Sequence, residues 1–222
     1  MSEEATAGRL HVPDVLEGPT VRLRRFRPDD ADALAAYRSD PDTARFQGWS
    51  TPFPLARARE LVDEFAAGEP GRPGTTFQYA VERVEAAGLI GDVMLSTGDD
   101  LRLVEIGFTL APEHRGAGHA TAAIRLLLDH LFAAGSPVHR VEARLDPRNA
   151  RSAALLDRLG FTCEGVLRES YWDDGGWTDD AVYGLLGREY TARTTSVEPR
   201  GLASPPSGRS DPTCHASHGP TA

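Results

Sequence analysis

Between Pro112 and Ala120 the chain reads Pro-Glu-His-Arg-Gly-Ala-Gly-His-Ala, and Arg115, Gly116 and Gly118 are spaced as an anion-holding loop needs them. The two glycines permit a tight turn and leave the backbone open to close approach by a ligand. The first turn of the helix expected next offers amide hydrogens without internal partners. Its dipole adds partial positive charge there, and Arg115 adds a full one. Upstream, Glu105 stands in an otherwise apolar stretch, where a carboxylate is costly unless paired or used in chemistry. Burial there raises its pKa towards the range useful for accepting a proton, directly or through water. An ion pair with Arg102 or another arginine is the competing account of Glu105, and both stay open. Asn149 suits a helix N-cap, and Ser152 falls in the first turn after it.

A strand, a loop and a helix must position the anion site. Leu103 to Leu110 alternates, with Val104, Ile106, Phe108 and Leu110 on one side. Ala120, Ala123, Ile124, Leu127, Leu128 and Leu131 recur at helical spacing until Gly135 stops the pattern. A ligand-free glycine turn explains Gly-x-Gly alone, but the strand, loop and helix order favours a phosphate site. The run lacks the Gly-Lys-Ser/Thr ending of a P-loop. A Rossmann fingerprint fits poorly, because Asp129, at about the required 20 residues, falls inside the helix.

Elsewhere, Val21, Leu23 and Phe26 mark a first strand, and Pro28-Asp29-Asp30 opens a helix through Tyr37. A second helix is expected over Leu55 to Ala67, followed by a hairpin built on Phe77 to Val81 and Leu89 to Leu95. Val141, Ala143 and Leu145 make a fifth strand, parallel to the fourth because a helix crosses between them. A short capped helix then ends at Gly160, and Thr162 to Glu169 and Trp177 to Leu186 form a last hairpin. The succession predicts an α/β protein with a mixed, mostly antiparallel sheet of about seven strands and helices on both faces. Residues 1–18 are polar and aperiodic and read as a flexible segment, 19–190 as one domain, and 191–222 as a disordered tail.

The spacing Arg115-x-x-Gly118-x-Ala120 resembles the pyrophosphate-binding signature of the GCN5-related N-acetyltransferases. The match spans about Thr20 to Tyr190. Its second half is similar to the ribosomal-protein N-terminal acetyltransferase branch, through Asn149-x-x-Ser152, Leu159-Gly160-Phe161-x-x-Glu164-Gly165-x-Leu167-Arg168, and Trp177-x-Asp179 with Tyr183-x-Leu185-Leu186. The resemblance implies that the fourth and fifth strands splay apart. It also implies that the cosubstrate is acetyl-CoA, with its pantetheine arm on the backbone of Phe108, Thr109 and Leu110 and its diphosphate on Arg115, Gly116, Ala117, Gly118, His119, Ala120 and Thr121. Asn149 would hydrogen-bond the arm or fix a catalytic water, Ser152 would contact the arm and protonate or solvate the thiolate, and Glu105 would be the general base. Relatives place a tyrosine where this chain has Leu156, which puts a tyrosine acid in doubt. The acceptor amine, on a protein N-terminus or a small molecule, is expected near Phe46, Gln47, Gly48 and Trp49 and near Tyr171, Trp172 and Trp177.

The net charge of −9 argues against broad nucleic-acid binding, and no apolar run reaches the length of a membrane span. A cytoplasmic location is the default expectation. Cys163 and Cys214 support neither a disulfide framework nor a metal cluster, so no metal is expected and a covalent acyl-enzyme has no evident nucleophile. The last hairpin is a candidate homodimer surface. The competing functions are a non-catalytic acyl-CoA-binding or sensing protein, and a scaffold with a vestigial loop.

Overall fold

The computed structural model describes residues 8–173 and 175–195. Its centre is an eight-stranded sheet in the order β1-β2-β3-β4-β5-β6-β8-β7. The strands are β1 (Leu16–Glu17), β2 (Val21–Arg24), β3 (Thr76–Arg83), β4 (Ala86–Thr97), β5 (Leu103–Leu110), β6 (Arg140–Leu145), β7 (Thr162–Asp173) and β8 (Gly176–Leu186). All neighbours are antiparallel except β5 and β6. The eighth strand, beyond the expected seven, is the two-residue β1. It displaces the expected numbering, so the parallel pair is the fifth and sixth strands.

The helices are α1 (Ala31–Ser39), α2 (Pro41–Ala44), α3 (Leu55–Ala67), α4 (His119–Leu131), α5 (Ala150–Leu159) and α6 (Gly187–Thr195). They cover both faces because strand alternation sends apolar side chains both ways. On one face Phe77, Tyr79, Val93, Leu95, Ile106 and Val141 share the main core with α4, whose Ala123, Ile124, Leu127, Leu128 and Leu131 are fully buried. Burying a leucine or isoleucine side chain contributes about 1.5–3 kcal/mol, so this stripe is the strongest anchor for the helix that carries the anion loop. On the other face Leu34 and Tyr37 of α1 and Leu61 and Val62 of α3 pack with Ala80 and Leu89.

Two boundaries depart from expectation. Leu10, Val12 and Leu16 are buried in the main core, so packing begins well before residue 19. At the other end α6 continues to Thr195. The Tyr190 hydroxyl donates to Asp129 at 2.5 Å and its ring packs on Phe132, which fastens α6 to α4. The remainder of the expected tail, 196–222, lies outside the described residues. No helix among the described residues is long and apolar enough to cross a membrane.

Candidate active site

β5 and β6 pair only from Leu103↔Arg140 to Ile106↔Ala143, although β5 runs on to Leu110 and β6 to Leu145. Beyond Ile106 that edge of β5 therefore has no strand partner. Past it the chain turns through a 3-10 segment, Pro112–His114, into Gly116 and Gly118, both at positive φ (80° and 83°), where a residue with a Cβ would be strained. Gly118 is the N-cap of α4, and the first bond of the helix runs from the Ala122 amide to its carbonyl at 2.9 Å. The amides of residues 116–121 find no acceptor among the described residues. They are the donors the loop was expected to present.

A cleft of about 1030 Å³ opens between these elements. Phe108, Thr109 and Leu110 line it from β5. Arg115, Gly116, Gly118, His119, Ala120 and Thr121 line it from the loop and α4. Asn149 and Ser152 line it from α5, and Phe46 and Gln47 from the segment after α2. Ala117 is exposed at the turn but is not part of the wall. Asn149 Oδ1 accepts the Ser152 amide at 3.2 Å, so Asn149 is a true N-cap whose NH2 group is not used by that bond. Burial, with Arg83 and His114 adding to it, lowers the pKa of His119, which favours its neutral form beside the loop.

Arg115 has contacts that the sequence did not announce. Its Nε donates to the Leu110 carbonyl at 3.1 Å and its Nη2 donates to the Thr43 hydroxyl. The guanidinium thus braces the end of β5 and α2 while remaining on the cleft wall.

Glu105 lies on the sheet face opposite Val104 and Ile106, level with Ser96 of β4 and Glu142 of β6. It does not line the cleft, and it makes no hydrogen bond or ion pair among the described residues, so the competing account, an ion pair with Arg102 or another arginine, is not what the structure contains. Burial raises its pKa; Arg144 opposes the shift, while Glu142 and Asp180 reinforce it. Asp180 is also raised by burial and faces Arg144 at 3.7 Å. Arg144, Glu142 and Asp180 therefore set the field at Glu105, an influence that strand spacing alone does not reveal.

The aromatic candidates divide. Phe46 is on the cleft wall with Arg45 over its ring. Trp49 is not: its indole N–H donates to the Arg38 carbonyl at 3.0 Å and Arg38 stacks on its ring, a packing role. Tyr171 and Trp172 do not line the cleft either. The Tyr171 hydroxyl occupies the place a Cβ on Gly48 would take, and Trp172 packs edge-on against Trp177 with ring centres 5.3 Å apart, both largely exposed. Leu156, in the place of the absent tyrosine, is fully buried. Cys163 is held in a disulfide, where the sequence offers no support for a disulfide framework; Cys214 lies outside the described residues.

Residues 20–162 match the acetyltransferase (GNAT) domain family. The chain is 33% identical to the Uncharacterized N-acetyltransferase p20 of Bacillus licheniformis, over 76% of this chain and 93% of that one. It is 32% identical to the [Ribosomal protein uS5]-alanine N-acetyltransferase of Escherichia coli (strain K12), over 82% of this chain and 96% of that one. Among solved structures it shares the fold of RimL, a ribosomal L7/L12 alpha-N-protein acetyltransferase in complex with coenzyme A. There the TM-score is 0.66 at 18% identity, covering 78% of this chain and 97% of that one. With the splayed parallel pair and the open amides of the loop, these likenesses establish that the chain belongs to the GNAT family of N-acetyltransferases.

Proposed function

We propose that the chain transfers the acetyl group of acetyl-CoA directly to a primary amine in a ternary complex, with a protein N-terminus as the acceptor. The observation that carries this reading is the row of unpartnered amides at 116–121, opening on the cleft beside the partnerless edge of β5. Those amides and the positive end of α4 suit a diphosphate. The exposed edge of Phe108 to Leu110 suits an extended amide-bearing arm, and the free NH2 group of Asn149 can donate to that arm. The bound coenzyme supplies an activated acyl carbon and a leaving thiolate.

The protein's own groups then have two tasks. Backbone donors at the splay hold and polarise the carbonyl oxygen where negative charge develops. Glu105, on the opposite face, takes the proton that the amine must shed as its nitrogen bonds the acyl carbon and the carbon–sulfur bond breaks. This places coenzyme and acceptor on opposite faces of the sheet, meeting where β5 and β6 part. A thiolate is a stable leaving group near neutral pH, so Leu156 in place of an acid is compatible with turnover. The N-terminal acceptor draws support from the uS5-alanine relative, which matches over most of both chains.

The test is thiol release from acetyl-CoA with a panel of peptides and small amines. Release that requires a peptide with a free N-terminus is the expected result. Coenzyme binding without release on any amine overturns the catalytic reading, and release on small amines alone overturns the acceptor.

A further inference from the structure

The cleft wall formed by α5 presents Arg151, Ala154, Leu155 and Arg158. These are the i, i+3, i+4 and i+7 positions of one helical face, so both cations look into the same space. Neither makes a hydrogen bond or ion pair among the described residues. Nearby Arg140 and Arg144, by contrast, each face a carboxylate. The charge of the cleft also runs against that of the molecule: three arginines and one aspartate, Asp42, line it in a chain with a formal net charge of −9. Arg115, the third arginine, is turned onto Leu110 and Thr43. Arg151 and Arg158 are the two without a hydrogen-bond partner among the described residues.

Coenzyme A carries, besides its diphosphate, a phosphate monoester on the 3′ oxygen of its ribose. The amides of the loop can serve the diphosphate, but the field of a helix end fades within its first turn, so a further dianion needs cations of its own. Guanidinium groups match phosphate geometry and keep their charge at every working pH. Seven residues set Arg151 and Arg158 roughly 10 Å apart along the helix, a gap their long side chains can narrow across the small Ala154. Resting on the acetyl-CoA reading above, we propose that Arg151 and Arg158 form a subsite for the 3′-phosphate, which makes the chain select 3′-phosphorylated adenosine diphosphates over their 3′-dephospho forms.

Arg158 also stands in the last turn of α5, where a cation suits the helix dipole. That role is indifferent to the nucleotide, so a ratio of affinities separates the two. The experiment measures calorimetric Kd values of coenzyme A and 3′-dephospho-coenzyme A for the unaltered protein and for the Arg151→Ala/Arg158→Ala double variant. The expected result is at least tenfold tighter binding of coenzyme A by the unaltered protein. In the double variant that preference collapses towards one while the affinity for the dephospho form stays within about twofold. The charge-reversed pair, Arg151→Glu/Arg158→Glu, should weaken coenzyme A further. Equal binding of both nucleotides by the unaltered protein overturns the subsite, as does an equal loss for both in the variant. Binding of neither nucleotide to the unaltered protein overturns the coenzyme reading itself, so the two failures are distinguishable.

Discussion

Arg115 donates from Nε to the carbonyl of Leu110 at 3.1 Å, across the turn that leads from β5 into the anion loop. Together with its bond to the Thr43 hydroxyl, this makes the arginine a brace between β5 and α2. Arg115→Ala should therefore weaken coenzyme binding about tenfold, the equivalent of one hydrogen-bonded brace of about 1.4 kcal/mol. Because both acceptors are neutral, the salt dependence of binding should be unchanged. Calorimetry across a range of salt checks this, since a guanidinium that met the diphosphate directly would flatten the salt slope on removal.

Glu105 is half-buried without a partner, and burial raises its pKa. A base must be ionised to act, so activity should fall as pH drops through a value above the ordinary glutamate range, and kcat/KM against pH reads that limb directly. Glu105→Gln should lower kcat by about 10²-fold or more, with coenzyme Kd little changed. For stability the sign is opposite. A carboxyl whose folded pKa is raised costs stability wherever it is ionised, and the cost disappears as pH falls through the folded value. At pH 7 the Gln variant should melt no lower than the parent; equal loss of turnover and melting temperature would point to a structural role.

The parts of this molecule that could be read in advance carry local signals. The stripe Ala123, Ile124, Leu127, Leu128, Leu131 has a period, Gly116 and Gly118 announce a backbone need, and Asn149 announces a cap. What escaped depends on partners distant in the chain. Leu10, Val12 and Leu16 have no regular spacing, yet they pack in the core. Asp92 reads as an ordinary strand residue, but it is buried on the α1 side, where the Tyr37 hydroxyl and the Gln78 amide both donate to it, and burial raises its pKa. Arg151 and Arg158 have the look of solvated helix positions until the cleft is in view.

Asn149 combines two roles that substitution can separate. Asn149→Ala removes the cap on the Ser152 amide at a cost of about 1 kcal/mol, roughly 2–4 °C in a domain of this size. Asn149→Asp keeps an acceptor for that amide and suits the helix end, but it removes the NH2 donor and brings negative charge to a cleft proposed to hold phosphates. The Asp variant should hold its Tm and lose coenzyme affinity, whereas the Ala variant loses some of each. Thermal melts with and without coenzyme distinguish them.

Outside the cleft lining, on β2, Arg24 forms a forked pair with Asp30 at 2.7 and 2.8 Å and reaches Glu82 at 3.2 Å, with all three side chains buried. Asp30→Ala leaves the guanidinium buried with half its charge unanswered, and it also strips the Arg27 amide of its acceptor. The expected loss is about 3–5 kcal/mol, or roughly 6–20 °C in Tm, with kcat intact at temperatures where the variant stays folded. Burying charge is itself expensive, so removing both partners should cost less than removing one. In Arg24→Met/Asp30→Leu, Glu82 still has Arg22, Arg27 and the Gly88 amide to answer it. Chemical denaturation of the three proteins tests this: a double variant less stable than Asp30→Ala would mean that Arg24 contributes packing that no apolar replacement restores.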